Sequence, residues 1–221
     1  MVRVLAVGIV AVAVLAGCSS GASSGSTTSQ SATVTSSTSA SPSTSAVSTT
    51  PSASPTPAHV TKLPGNCYSV LSLYDVEQAV GHRIGGKTAF IVGLPDKTIG
   101  RLVYVNCRYG LPNAAPGTKV TPRIEINVAL YNTPAVAEQR YNATIRDYVA
   151  NGATSAQVTT ADHPASILTG GVGAGYNVPT LVAASGQRTV AVSLNDPTVS
   201  PAERTRLLTA LGTLALKNTG G

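Results

Sequence analysis

From Ser19 to Leu63 the chain is built mainly from Ser, Thr, Ala, Gly and Pro, with Lys62 as the single formal charge. Such a tract buries too little apolar surface to offset the entropy of ordering it, which confines folding to residues 64–221. A segment of that length makes one domain and can bury roughly 70% of its extended-chain surface, enough for a core without a metal or cofactor. As a flexible coil the tract's ends would lie on the order of 40 Å apart. Its Ser/Thr density with Pro42, Pro51, Pro55 and Pro57 fits an O-glycosylated stalk as well as a bare tether. Gly21-Ala22-Ser23-Ser24-Gly25 matches the pattern of a hydrolase nucleophile elbow, but no strand precedes it and no helix follows, so Ser23 is a chance match.

Ahead of the tract, Arg3 is followed by an apolar run from Val4 to Ala16. The run is too short to span a hydrocarbon core and reads as the h-region of a signal peptide covering residues 1–17. It ends in Leu15-Ala16-Gly17-Cys18, which resembles the lipobox of bacterial lipoproteins. That resemblance implies a diacylglycerol group on the Cys18 thiol and cleavage that makes Cys18 the N-terminus, its freed amine then open to acylation. Two or more acyl chains hold a protein stably on a membrane. The alternative is an ordinary secretory leader that happens to place Cys18 near its cleavage site.

The formal charge of +6 is spread singly along the chain, charged residues make up only 11%, and Trp is absent. No basic stripe interleaved with aromatics occurs, so nucleic acid is not an expected partner. The positive balance reads as a solubility feature with weak attraction to anionic envelope polymers.

Within the foldable segment, Ser72 and Asp75 form a capping-box pair ahead of Leu73, Val76 and Val80 on one helical face, with Gly81 as the stop. Thr88 to Gly93 and Arg101 to Tyr109 read as strands around a Leu94-Pro95-Asp96 turn. Arg123 to Tyr131 alternates cleanly, with Ile124, Ile126, Val128 and Leu130 on one face. Thr133 to about Asn151 reads as a helix striped by Tyr141, Ile145, Tyr148 and Val149. Ile167-Leu168, Pro179 to Ala184 and Arg188 to Asn195 read as strands, the last two forming a hairpin across Ser185-Gly186. Ser200-Pro201-Ala202-Glu203 opens a final helix whose inward face is Leu207, Leu208, Leu211 and Leu214. The order predicts an α+β fold: an antiparallel sheet with about three helices packed on it.

Of three cysteines, removing Cys18 leaves the even pair Cys67 and Cys107. Cys107 shares a strand face with Val103 and Val105, and Cys67 sits just before the first helix, so a bridge would staple that helix to the sheet and contribute roughly 4 kcal/mol by loop closure. A redox or metal pair is the alternative, but no C-x-x-C spacing supports it.

No catalytic or metal-binding constellation is legible. His59, His82 and His163 are isolated in sequence and read as solvated side chains. No zinc, calcium or phosphate-loop motif occurs, so no metal and no cofactor is expected. Gly170-Gly171-Val172-Gly173-Ala174-Gly175-Tyr176 fails the dinucleotide pattern, because Tyr176 stands where the third glycine belongs. It reads as a mobile hairpin or bulge loop, or, more sharply, as the rim of a binding cleft. Asp75, Glu77, Glu138 and Asp147 read as capping and surface charges, and the eight tyrosines as amphipathic cover or a ligand-facing surface.

The lipobox, the Ser/Thr/Pro stalk, Asn66-Cys67-Tyr68 before Leu-Tyr-Asp-Val-Glu-Gln-Ala-Val-Gly, and Asn106-Cys107-Arg108-Tyr109 on a strand together resemble a small mycobacterial cell-envelope lipoprotein. The resemblance implies anchoring on the outer face of the plasma membrane and a disulfide-stapled, non-enzymatic domain that binds an envelope lipid, glycan or protein. Two other functions stay open: a lipid carrier with an apolar cavity between sheet and helices, and an envelope hydrolase whose Ser or Cys nucleophile meets His82 or His163 in space.

Overall fold

The computed structural model describes residues 62–115 and 117–221. The signal peptide, Cys18, Ser23, His59 and the linker up to residue 61 lie outside the described residues. The elements run α1 (Leu73–Val80), β1 (Lys87–Gly93), β2 (Arg101–Leu111), β3 (Ile124–Tyr131), α2 (Pro134–Ala150), β4 (Thr154–Thr160), β5 (His163–Thr169), β6 (Thr180–Ser185), β7 (Arg188–Leu194) and α3 (Pro201–Thr219). The strands form one antiparallel sheet in the order β1-β2-β3-β7-β6-β5-β4. A three-stranded and a four-stranded meander thus meet along β3 and β7, and each is followed by a helix. This is the α+β architecture that the sequence predicts.

Because successive strand residues point to opposite faces, the registers fix what each face carries. Cys107, Ile126, Val192, Leu181 and Ile167 stand in one row across five strands, and Val105, Val128, Val190, Ala183 and Ala165 in the next. These rows form a single buried cluster with Val76 and Val80 of α1 and with Leu207, Leu208, Leu211, Ala215 and Leu216 of α3. Leu63 joins the same cluster from just ahead of the expected start of the domain. Cys67 and Cys107 form a disulfide with their Cα atoms 5.6 Å apart, tying the segment before α1 to the inner face of β2. Beside it the fully buried Tyr109 hydroxyl donates to the Leu71 carbonyl.

The opposite face is covered by α2, which packs on β3 to β7. It leaves open the corner where β2 ends, β3 begins and β7 ends. At the sheet edge, β1 keeps Phe90, Ile91 and Val92 about half exposed.

Four local expectations change. β4 reads Thr-Ser-Ala-Gln-Val-Thr-Thr, a mostly exposed edge strand without apolar alternation, and the sequence offers no periodic signal for it. Leu73 and Val149 lie at the rims of their helices, exposed rather than inward. The Ser200 hydroxyl donates to the Glu203 carboxylate and makes no bond to the backbone of α3, so the two side chains pair with each other and neither capping-box bond to the backbone forms among the described residues. His82 and His163 are hydrogen-bonded to protein partners rather than solvated.

Candidate functional site

The uncovered corner on the α2 side of the sheet is a cleft of about 460 Å³. Its walls come from three places: the β2–β3 loop with Lys119 to Pro122, the glycine-rich β5–β6 loop with Ala174, Gly175, Asn177 and Val178, and the end of β7 with Ser193 and Asn195. Its floor holds Arg108 and Glu125, which face each other across β2 and β3.

A small network holds these two charges. Arg108 donates from Nε to Asn106 Oδ1 at 2.9 Å, and Asn106 donates from Nδ2 to Glu125 Oε1 at 2.6 Å. Arg108 Nε also lies 3.5 Å from the same carboxylate oxygen. Asn106 is only 7% exposed and lies two residues from Arg108 on one strand face, so it fixes the guanidinium through its side position. The terminal nitrogens of Arg108 have no hydrogen-bond partner among the described residues.

The glycine-rich loop is docked rather than loose. Tyr148 on α2 donates to the Gly175 carbonyl at 3.1 Å, and Tyr176 donates back to Asp147 of α2 at 2.9 Å. The two rings meet edge to face, with centroids 5.0 Å apart. The bond to the Asp147 carboxylate holds the Tyr176 phenol in its neutral form and raises its pKa. A side chain at Gly171 would place its Cβ 2.5 Å from the Tyr176 carbonyl oxygen, so only glycine lets the loop fold back on itself. Beneath the loop, Thr180 Oγ1 and Ser193 Oγ are hydrogen-bonded at 2.9 Å, linking β6 to β7 at the cleft floor.

The two described histidines do not meet each other; each has its own partner. His82 Nε2 lies 3.0 Å from Asp196 Oδ2 and 3.1 Å from Thr198 Oγ1. Both contacts fall on the same ring nitrogen, whereas a catalytic relay uses the two nitrogens for different partners. The Asp196 side chain is fully buried, and burial alone would raise its pKa. Hydrogen bonds from His82 and from the Thr198 side chain and backbone, with the charge of Arg123, outweigh burial and hold the pKa below the ordinary range.

His163 Nε2 lies 3.0 Å from Ser185 Oγ on the α3 side of the sheet, away from the cleft. Ser185 is 8% exposed, and neither residue of the pair lines the cleft. Its cross-strand neighbour Arg188, 3% exposed, donates from Nη1 to the Gly220 carbonyl at the C-terminal end of α3. No carboxylate among the described residues orients the other nitrogen of His163.

Sequence reasoning reads the glycine-rich loop first as a mobile hairpin or bulge loop and second as a cleft rim; the loop lines the cleft and is docked on α2. That reasoning missed Arg108, Glu125 and Asn106, whose only trace in sequence is a polar alternation on β2 and β3 opposite the apolar one. Among the described residues no group of three or more His, Cys, Asp or Glu side chains is placed to hold a metal ion, and no helix is long and apolar enough to cross a membrane.

No protein-family model and no curated protein matches the chain. Among solved structures, the extracellular domain of PknH from Mycobacterium tuberculosis is similar at a TM-score of 0.40 and 12% identity, over 70% of this chain and 98% of that one. A likeness this loose bears on neither fold nor function.

Proposed function

We propose that the chain is an extracytoplasmic lipoprotein, tied to the plasma membrane through Cys18, whose domain is a non-enzymatic binding module for a polar component of the cell envelope. The cleft carries this reading. A guanidinium held by Asn106 and Glu125 faces an opening of about 460 Å³, a volume within the usual range for small-molecule sites. Its rims are a glycine-rich loop and the 119–122 segment, and loops on a rigid sheet are where binding residues concentrate. The charged and amide side chains among its lining, Arg108, Lys119, Glu125, Asn177 and Asn195, favour a glycan or peptide fragment over an acyl chain. A lipid carrier needs an apolar cavity between sheet and helices, and on the α1/α3 side that space is filled by the buried cluster.

The test is isothermal titration of the full chain, in detergent, with soluble fragments released from bacterial cell wall by a muramidase. Binding is expected, and filling the cleft with Asn177→Trp should abolish it. Equal binding by that variant, or none by the parent, overturns the reading. Intact-mass analysis of native material tests the anchor: diacylglycerol on Cys18 and loss of residues 1–17 are expected, and an unmodified, uncleaved chain contradicts it.

One contact favours a second reading, an envelope hydrolase: the 3.0 Å approach of Ser185 Oγ to His163 Nε2, within the reach of a working nucleophile and base. Burial of Ser185 and the missing carboxylate partner weigh against it. Ester or amide hydrolysis abolished by Ser185→Ala would establish it.

A further inference from the structure

We infer that the cleft selects a ligand bearing a free carboxylate with a hydrogen-bond donor close beside it, an amide N–H or a hydroxyl, as in the C-terminal end of a short peptide or an acidic sugar. This rests on the binding reading above and names the class of ligand that the site takes.

The charges come first. Arg108 and Lys119 line the cleft against a single carboxylate, Glu125, so the cavity carries one uncompensated positive charge. Arg108 is bonded through Nε, and its approach to Glu125 at 3.5 Å is through that same nitrogen. The contacts that fix the side chain therefore leave its terminal fork unused. Two parallel N–H groups in one plane match the two oxygens of a carboxylate, a recognition that a point charge does not reproduce.

Glu125 supplies the second half of the specificity. Its Oε1 accepts from Asn106 and faces Arg108, while Oε2 has no hydrogen-bond partner among the described residues. An acceptor next to an anion-binding fork repels a second negative charge and rewards a donor on the ligand. The amide N–H of a C-terminal residue, or the hydroxyl on the carbon next to the one bearing a uronic acid's carboxylate, places a donor there. No aromatic ring among the described residues lines the cleft, so a neutral sugar finds no stacking face there and has only hydrogen bonds to compete with. The volume suits a few residues or one to two sugar rings.

The experiment is an NMR titration of the full chain in detergent with four matched probes, alanyl-alanine and its C-terminal amide, and glucuronate and glucose, and with propionate as the carboxylate that has no donor beside it. The carboxylates should bind at least tenfold more tightly than their partners without a carboxylate, and added salt should weaken the carboxylates selectively. Arg108→Lys should lose at least fivefold, and Glu125→Gln should erase the preference for alanyl-alanine over propionate. Binding of the peptide but not the sugar acid, or the reverse, identifies the source and keeps the class. Equal affinity for the forms with and without a carboxylate, or no binding by any of the four matched probes, overturns the class. The cell-wall titration with Asn177→Trp stands or falls separately, so failure of the ligand class and failure of the cleft are distinguishable. The comparison of forms with and without a carboxylate uses the unaltered chain and does not depend on a variant folding.

Discussion

Asp196 shows how one residue joins distant parts of the chain. Its buried carboxylate takes Thr198 from its own loop and His82 from beyond α1. Because its folded pKa is depressed below the ordinary 3.8, its stabilisation is full above that value and fades as pH falls through the lower folded value. Asp196→Asn should cost about 1.5–3 kcal/mol at pH 7, and the gap to the parent in urea unfolding should shrink as the pH is taken below 3.8. A gap independent of pH would contradict this. Cys67–Cys107 acts at the same scale. Reduction, or the double change to Ala, should lower stability by roughly 4 kcal/mol, less if the reduced chain keeps residual structure, as a denaturant titration with and without reductant would measure. The disulfide was legible because a lone even pair invites bridging and one partner lay on an apolar strand face. The His82–Asp196 and His163–Ser185 contacts were not, since their separations of 114 and 22 residues carry no local pattern.

At the scale of elements, what could be read followed from how strongly each buries one side. Ser72, Asp75 and Gly81 bound α1 as the capping rules require, with both halves of the box formed and Gly81 left-handed. The clean alternation of β3 placed Ile124, Ile126, Val128 and Leu130 in the core. β4 is an edge strand that buries little and so leaves no hydrophobic trace. The cleft stayed hidden for a related reason: Asn106, Arg108 and Glu125 sit on the face whose alternation is polar, which in one sequence looks the same as a solvated surface. The glycine-rich loop offers a direct probe. Gly171→Ala forces a Cβ onto the Tyr176 carbonyl, so the loop must move while the sheet and helices stay in place. Binding of cell-wall fragments should fall at least tenfold with little change in thermal unfolding. Unchanged binding would mean that the loop is not a wall of the site.

For the whole molecule, two antiparallel meanders joined at β3 and β7 divide the labour between faces. One face, under α1, α3 and the disulfide, holds the continuous apolar rows that stabilise the domain. The other, only partly roofed by α2, leaves a charged corner free to recognise something. The layer architecture was legible in the order of elements, whereas the choice of open corner depends on where α2 crosses, which only the three-dimensional path reveals. The most direct test of the binding account is a map of amide shifts when isotope-labelled full chain in detergent is titrated with muramidase-released cell-wall fragments. The account predicts saturable shifts confined to Arg108, the 119–122 segment, Gly175 to Val178 and Ser193 to Asn195. Shifts centred on Ser185 and His163 with turnover of the added fragments, or no shifts at all, would contradict it.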